Sequence, residues 1–124
     1  MRKSIAFAAL AVLTACQTVP PPPATATAHI PGDYRRAAAA AVRNYLKDPY
    51  SVRDAMISEP TILSGLMIGG RRPGVCVTLN AKNGFGAYVG VESFTIPFNG
   101  ASPIAVFEGN CPDMHWTPFR ELMP

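Results

Sequence analysis

Charged side chains are scarce in this chain, at 15% of 124 residues, and histidine is scarcer still, with only His29 and His115. The formal balance is 11 Lys+Arg against 8 Asp+Glu, or +3; without Arg2 and Lys3, which lie in a segment expected to be removed, it is 9 against 8, or +1. That is no electrostatic footprint for DNA or RNA, and no nucleic-acid partner is expected. The shortage of histidine bounds the chemistry as well. A serine or cysteine nucleophile needs a base, and the region expected to fold offers one imidazole, His115. A glycine cradle for phosphate is missing: Gly84-Phe85-Gly86 and Gly69-Gly70 read as turns, not strand-to-helix junctions. The carboxylates Asp33, Asp48, Asp54, Glu59, Glu92, Glu108, Asp113 and Glu121 are scattered, with no spacing that recommends a two-carboxylate hydrolase. No enzymatic activity is expected. The length allows one small domain and excludes a doubly wound nucleotide-binding fold or a barrel enzyme.

What is present begins at the N-terminus. Met1-Arg2-Lys3 is a short positive region, and Ser4 to Leu13 is apolar but too short to cross a hydrocarbon core of about 30 Å. Residues 1–15 therefore read as a signal peptide. Ordinary signal peptidase prefers small residues at −3 and −1, which Leu13 fits badly. Leu13-Thr14-Ala15-Cys16 instead resembles the lipobox of bacterial lipoproteins. That resemblance implies a diacylglyceryl group on the Cys16 sulfur, cleavage before it and acylation of the new amine. Such an anchor exceeds the two signals that stable membrane attachment requires. Gln17 follows, where Asp would signal inner-membrane retention. The expected location is thus the outer membrane, with the domain facing the periplasm and no cofactor beyond the covalent lipid on Cys16.

Residues 16–32 form the lipidated cysteine and a tether. Pro20, Pro21, Pro22, Pro23 and Pro31 favour an extended polyproline II spacer, with a reach of roughly 50 Å from Gln17 to Gly32. A Pro-rich ligand for an SH3-like partner is the alternative. His29 has no nearby ligand-type residue and receives no role.

The domain, residues 33–124, is expected to be α+β: one N-terminal helix packed on a small three- to four-stranded antiparallel sheet, with one disulfide. Asp33 can cap a helix from Tyr34 to about Lys47, with Tyr34, Ala38, Ala41, Val42, Tyr45 and Leu46 as its apolar stripe. Arg36, Arg43 and Lys47 lie on the opposite, solvated face, and Pro49 ends the element. Ser51 to Leu63 holds a strand that Pro60 pushes to an edge, and Gly65 to Gly74 reads as a loop. Val75 to Lys82 alternates, Asn83-Gly84 is a strong hairpin signal, and further strands follow at Ala87–Phe98 and Ile104–Phe107. Pairing Lys82 with Ala87 sets Cys76 opposite Ser93, and pairing Phe98 with Pro103 sets Ser93 opposite Glu108. One face then gathers Val75, Leu79, Ala81, Tyr88, Phe94, Ile96 and Phe98 beneath the helix. Glu92 falls on that face and conflicts with it unless a bulge or a register shift intervenes. Trp116 and Phe119 are expected to cover the second sheet face.

Three cysteines are odd in an exported chain until Cys16 is assigned to lipid; Cys76 and Cys111 then remain as a disulfide pair. The register brings them within reach, and the bridge would contribute about 3–4 kcal/mol in the chain-entropy model. A copper or zinc site of Cys76, Met114 and His115 is the sharper alternative, with an incomplete ligand set.

Two stretches, Leu46-Lys47-Asp48-Pro49-Tyr50-Ser51 and Val75 through Gly90, resemble segments of small proteobacterial envelope lipoproteins and related exported or prophage-encoded proteins. That largely uncharacterised group carries no catalytic residue onto this sequence. The resemblance implies a domain boundary and a hairpin. The expected role is a non-enzymatic envelope lipoprotein with a binding, assembly or scaffolding task. It would hold the membrane through its acyl chains and contact another envelope protein or peptidoglycan. Arg71 and Arg72 in one loop, and Asn80, Lys82 and Asn83 at the hairpin tip, are the candidate contacts. The alternative is an inhibitor of an envelope hydrolase, a lysozyme or protease.

Overall fold

The computed structural model describes residues 28–111 and 114–124. The signal segment, Cys16 and the tether to residue 27 lie outside the described residues, as do Pro112 and Asp113.

The helix α1 runs Tyr34–Tyr45. Asp33 caps it, accepting from the Arg36 N–H at 3.1 Å, a contact of about 1 kcal/mol. It stops short of Lys47 because Leu46 is already extended and Pro49 bars helix at Asp48. Ala38, Ala39 and Val42 are fully buried, so Ala39 joins the stripe, and small side chains let the helix lie close on the sheet. Tyr34 and Leu46 pack at the core margin, and the Tyr45 ring meets Phe94 edge-on at 5.7 Å.

Among the described residues the sheet has seven strands: β1 (Arg53–Ser58), β2 (Thr61–Gly65), β3 (Gly70–Asn80), β4 (Glu92–Asn99), β5 (Ser102–Pro103), β6 (Phe107–Glu108) and β7 (Trp116–Pro118). The order is β5-β4-β3-β1-β7, with β2 also on β3 and β6 also on β4, all antiparallel. Three to four strands become seven for physical reasons. Glu59-Pro60 interrupts one ribbon into β1 and β2, and Ile104 to Val106 interrupts another into β5 and β6. The tail adds β7, pairing Ser58 with Trp116 on the outer edge of β1. The segment expected as a loop at Gly65–Gly74 is a hairpin arm. β2 pairs with the first half of β3 through a 3-10 turn at Leu66–Ile68. Pro73 lies just past the last β3–β4 pair, Gly74↔Pro97, where a missing N–H is tolerated. Gly74 is required there: a Cβ would press into the Leu63 side chain and come 2.6 Å from the Ile96 carbonyl oxygen.

The register departs from expectation by two residues. Lys82 bridges Tyr88, and Cys76 pairs with Thr95 instead of Ser93. One residue enters the turn, which closes with the Asn83 N–H on the Ala87 carbonyl at 2.9 Å. Another enters between Tyr88 and Glu92, where Gly90 takes a φ of +97°. From Glu92 on the displacement is even and preserves the faces, so Val75, Leu79, Ala81, Phe94, Ile96 and Phe98 are buried together as expected. Tyr88, displaced by one residue only, pairs with Lys82 and lies outside that core, its ring against Arg53. Glu92 does face the helix side, opposite Leu79, but at the sheet's exposed margin. Phe98 pairs with Pro103; Glu108 meets Phe94 instead of Ser93 because Ile104–Val106 carries one extra residue.

Phe119 corrects a further expectation. It does not cover the second face: it is fully buried in the helix-side core beside Leu122, held by its N–H on the Ala55 carbonyl at 2.8 Å. The second face carries Ser58, Cys76 and Thr95. Cys76 is bonded to Cys111 there, with Cα atoms 6.0 Å apart.

Candidate functional site

β3 organises every described candidate residue, and it separates them. Arg71 and Arg72 lie at its start and Asn80 at its end, a strand length of about 30 Å. The two expected contact patches are therefore at opposite ends of the molecule and form no single surface. Within the first patch the arginines differ. Arg71 is exposed, opposite Ser64. Arg72 is partly buried, and its Nε donates to the Ile68 carbonyl at 2.6 Å, stapling the 3-10 turn.

The second patch builds its own loop. Asn83 Oδ1 accepts from the N–H groups of Phe85 and Ala87 at 2.9 and 3.2 Å, and Asn80 Oδ1 accepts from the Gly90 N–H at 3.2 Å. The Lys82 N–H donates to Ser51 Oγ at 2.8 Å, while its ammonium stands 5.6 Å from the Tyr88 ring. Arg53 stacks on that ring at 3.6 Å, and Tyr88 donates its hydroxyl to the Ser51 carbonyl at 2.8 Å. Asn80 and Asn83 thus hold turn backbone, the chemistry for which short amides suit such positions.

Two open grooves flank these residues, and sequence reasoning found neither. The first, of about 530 Å³, lies on the disulfide face between the β2 arm and the β6 segment. Leu63, Leu66, Ile68, Cys76, Thr95 and Phe107 line it. Its signal in the sequence is Leu66-Met67-Ile68, an apolar triplet set between glycines where a solvated turn would be polar. The second, of about 460 Å³, opens off the end of α1 among Tyr45, Lys47, Lys82, Glu92 and Glu108. Tyr45 donates its hydroxyl to Glu108 at 3.3 Å; burial first, then the charges of Glu108 and Glu92, push its phenol above the ordinary tyrosine range. This groove presents both signs of charge beside an aromatic ring. Periodicity could not find it, because Tyr45, Glu92 and Glu108 meet only through the register of β4 and β6.

The disulfide takes the sulfurs of Cys76 and Cys111, so the copper or zinc set of Cys76, Met114 and His115 loses its thiolate in this form. Among the described residues, no three of His, Cys, Asp and Glu converge as a metal set. Cys16 lies outside the described residues. No family model, curated protein or solved structure matches this chain.

Proposed function

We propose that the chain is a lipid-anchored outer-membrane lipoprotein whose periplasmic domain has a non-enzymatic binding, assembly or scaffolding role. One observation carries the reading: Cys76 and Cys111 are bonded to each other. The third cysteine, Cys16, is left at the end of Leu13-Thr14-Ala15-Cys16, where a lipid thioether needs it. A disulfide suits an oxidising compartment, and so supports export. The Pro-rich segment that follows suits a spacer between membrane and domain.

The intact mass of the membrane-extracted protein tests the anchor. A diacylglyceryl group and an amide-linked acyl chain on a product beginning at Cys16 are expected, and a free thiol there would refute it. In-cell cross-linking of the full-length protein, with Cys16→Ala as control, tests the role. A single stoichiometric partner lost in the control supports assembly, whereas recovery of bulk outer-membrane proteins alone counts against it. A second reading, an inhibitor of an envelope lysozyme or protease, draws support from the hairpin arm, whose turn exposes Leu66 and Met67. Inhibition of purified hydrolases by the lipid-free chain separates the two.

A further inference from the structure

The turn at the end of the β2–β3 arm is apolar and, among the described residues, uncovered. Leu66 is 99% and Met67 82% exposed. Single exposed apolar residues are ordinary, but two adjacent ones at the apex of an arm present a concentrated apolar point to whatever lies beyond. The turn is held in shape: Arg72 binds the Ile68 carbonyl, and the Gly69 N–H donates to the Leu66 carbonyl at 3.2 Å. Leu66 and Met67 are therefore displayed on a fixed frame.

Within the arm itself the charge has one sign, while Glu108 borders the groove beside it. From Thr61 to Pro73 the only charged residues are Arg71 and Arg72, and no acidic residue interrupts them. Arg72 is engaged in the turn; Arg71 is exposed on the strand just behind it. An apolar apex with cationic charge set back from it matches the layering of a phospholipid interface, acyl region first and headgroup phosphates above.

The entry of the chain places a membrane within reach. The Ala28 N–H donates to the Pro60 carbonyl at 3.3 Å, at the base of this arm. The stretch from Cys16 to that point has a contour of about 37 Å at 3.1 Å per residue. The arm from Thr61 to Leu66 covers only about 17–20 Å. An anchor at Cys16 can therefore stand level with the apex or beyond it. We infer that the Leu66–Met67 turn inserts into the interface of the phospholipid leaflet that carries the Cys16 acyl chains, with Arg71 at the headgroup phosphates. This contact rests on the proposed anchor for its choice of leaflet. It would fix the domain's orientation, turning the hairpin around Asn83, at the other end of β3, toward the periplasm.

The test uses residues 16–124 carrying Cys16→Ser, so that neither acyl chain nor signal segment contributes. Co-sedimentation is measured with vesicles of phosphatidylethanolamine containing phosphatidylglycerol as the minor lipid. Binding is expected, weakened about tenfold or more by Leu66→Asp with Met67→Asp. Arg71→Glu should weaken it less, with a smaller salt dependence. An unchanged thermal unfolding midpoint in each variant shows that the loss is not unfolding. Absence of vesicle binding, or binding that survives the double substitution, overturns the inference; a turn that docks on protein instead would give that result. Lipid on Cys16 without vesicle binding would leave the lipoprotein reading standing and remove this one. A bare Cys16 with apex-dependent binding would refute the anchor and keep the membrane-seeking arm.

Discussion

On the helix side of the sheet, Val75, Val77, Phe94 and Ile96 lie under α1 and the tail, none more than 1% exposed. On the opposite side no α-helix packs among the described residues, Thr95 is partly exposed, and Cys76 is joined to Cys111 at the floor of an open groove. The first side gains stability by removing apolar area from water. The second gathers Leu63 and Phe107 along an open groove, and a covalent bond restrains it by narrowing the unfolded ensemble. A domain this small buries a limited fraction of its surface, so one well-packed face and one stapled face is a physically sensible division. The division also leaves the stapled face open to a ligand.

Phe94→Ala should give the largest effect, about 3–5 kcal/mol lost in chemical denaturation, because Val77, Ile96 and Tyr45 cannot close the cavity. Thr95→Ala, one residue along on the other face, should cost less than about 1 kcal/mol. Similar losses at the two positions would erase the contrast between faces.

Reducing the disulfide, or replacing both Cys76 and Cys111 with Ala, should cost about 3–4 kcal/mol for a bridge spanning 35 residues in sequence. Hydrogen exchange sharpens the point. Amides near Phe107 and Gly109 should lose protection first, while Val75 and Val77 keep theirs until global unfolding. Uniform loss of protection would mean that the bridge supports both faces.

Legibility in the sequence follows the same division. The helix-side core was readable because burial leaves a period: Val75, Leu79, Phe94, Ile96 and Phe98 alternate, and an even register error leaves alternation intact. The disulfide was readable by elimination among three cysteines. The place of Phe119 is not legible, because nothing in Trp-Thr-Pro-Phe marks a short edge strand whose partner lies about sixty residues earlier. The arm reads as a loop because its glycines and Pro73 are turn residues by composition, whereas Gly74 is there for the close approach of Leu63. The second groove is not legible, since Tyr45, Glu92 and Glu108 are brought together by pairing alone; the first leaves only the apolar triplet Leu66-Met67-Ile68 as its sign.

The tail supplies a polar counterpart to these apolar and covalent links. Arg35 Nε and Nη2 donate to the two Glu121 carboxylate oxygens at 2.7 and 2.9 Å, and its Nη1 donates to Thr117 at 2.9 Å. Arg43 donates to the Glu121 carbonyl. Arg35→Ala should cost about 1–2 kcal/mol, chiefly by freeing the chain after β7. Hydrogen bonding from Arg35 holds the Glu121 carboxyl below the ordinary glutamate range. A depressed folded-state pKa gives stability that is present above the unfolded value and lost as pH falls through the folded one. Wild-type stability should therefore drop on acidification below about pH 4 more steeply than that of Arg35→Ala. Parallel curves would show that the pair contributes nothing through ionisation.

The smallest effect compares the two ends of β3. Asn83 holds its turn with two side-chain hydrogen bonds to backbone, and Leu66 holds nothing comparable at the other apex. Asn83→Ala should cost about 1 kcal/mol, because the Phe85 and Ala87 N–H groups lose their acceptor yet remain open to water. Leu66→Ala should change stability by less than about 0.5 kcal/mol, since a side chain already in water gives up no burial. Thermal unfolding of both variants reads the difference directly. If Leu66→Ala were the costlier change, the apex would be packed in the free protein and would have no apolar surface left to offer a membrane. If Asn83→Ala cost nothing, its amide would be available for recognition, and the hairpin would regain its standing as a contact surface facing away from the arm.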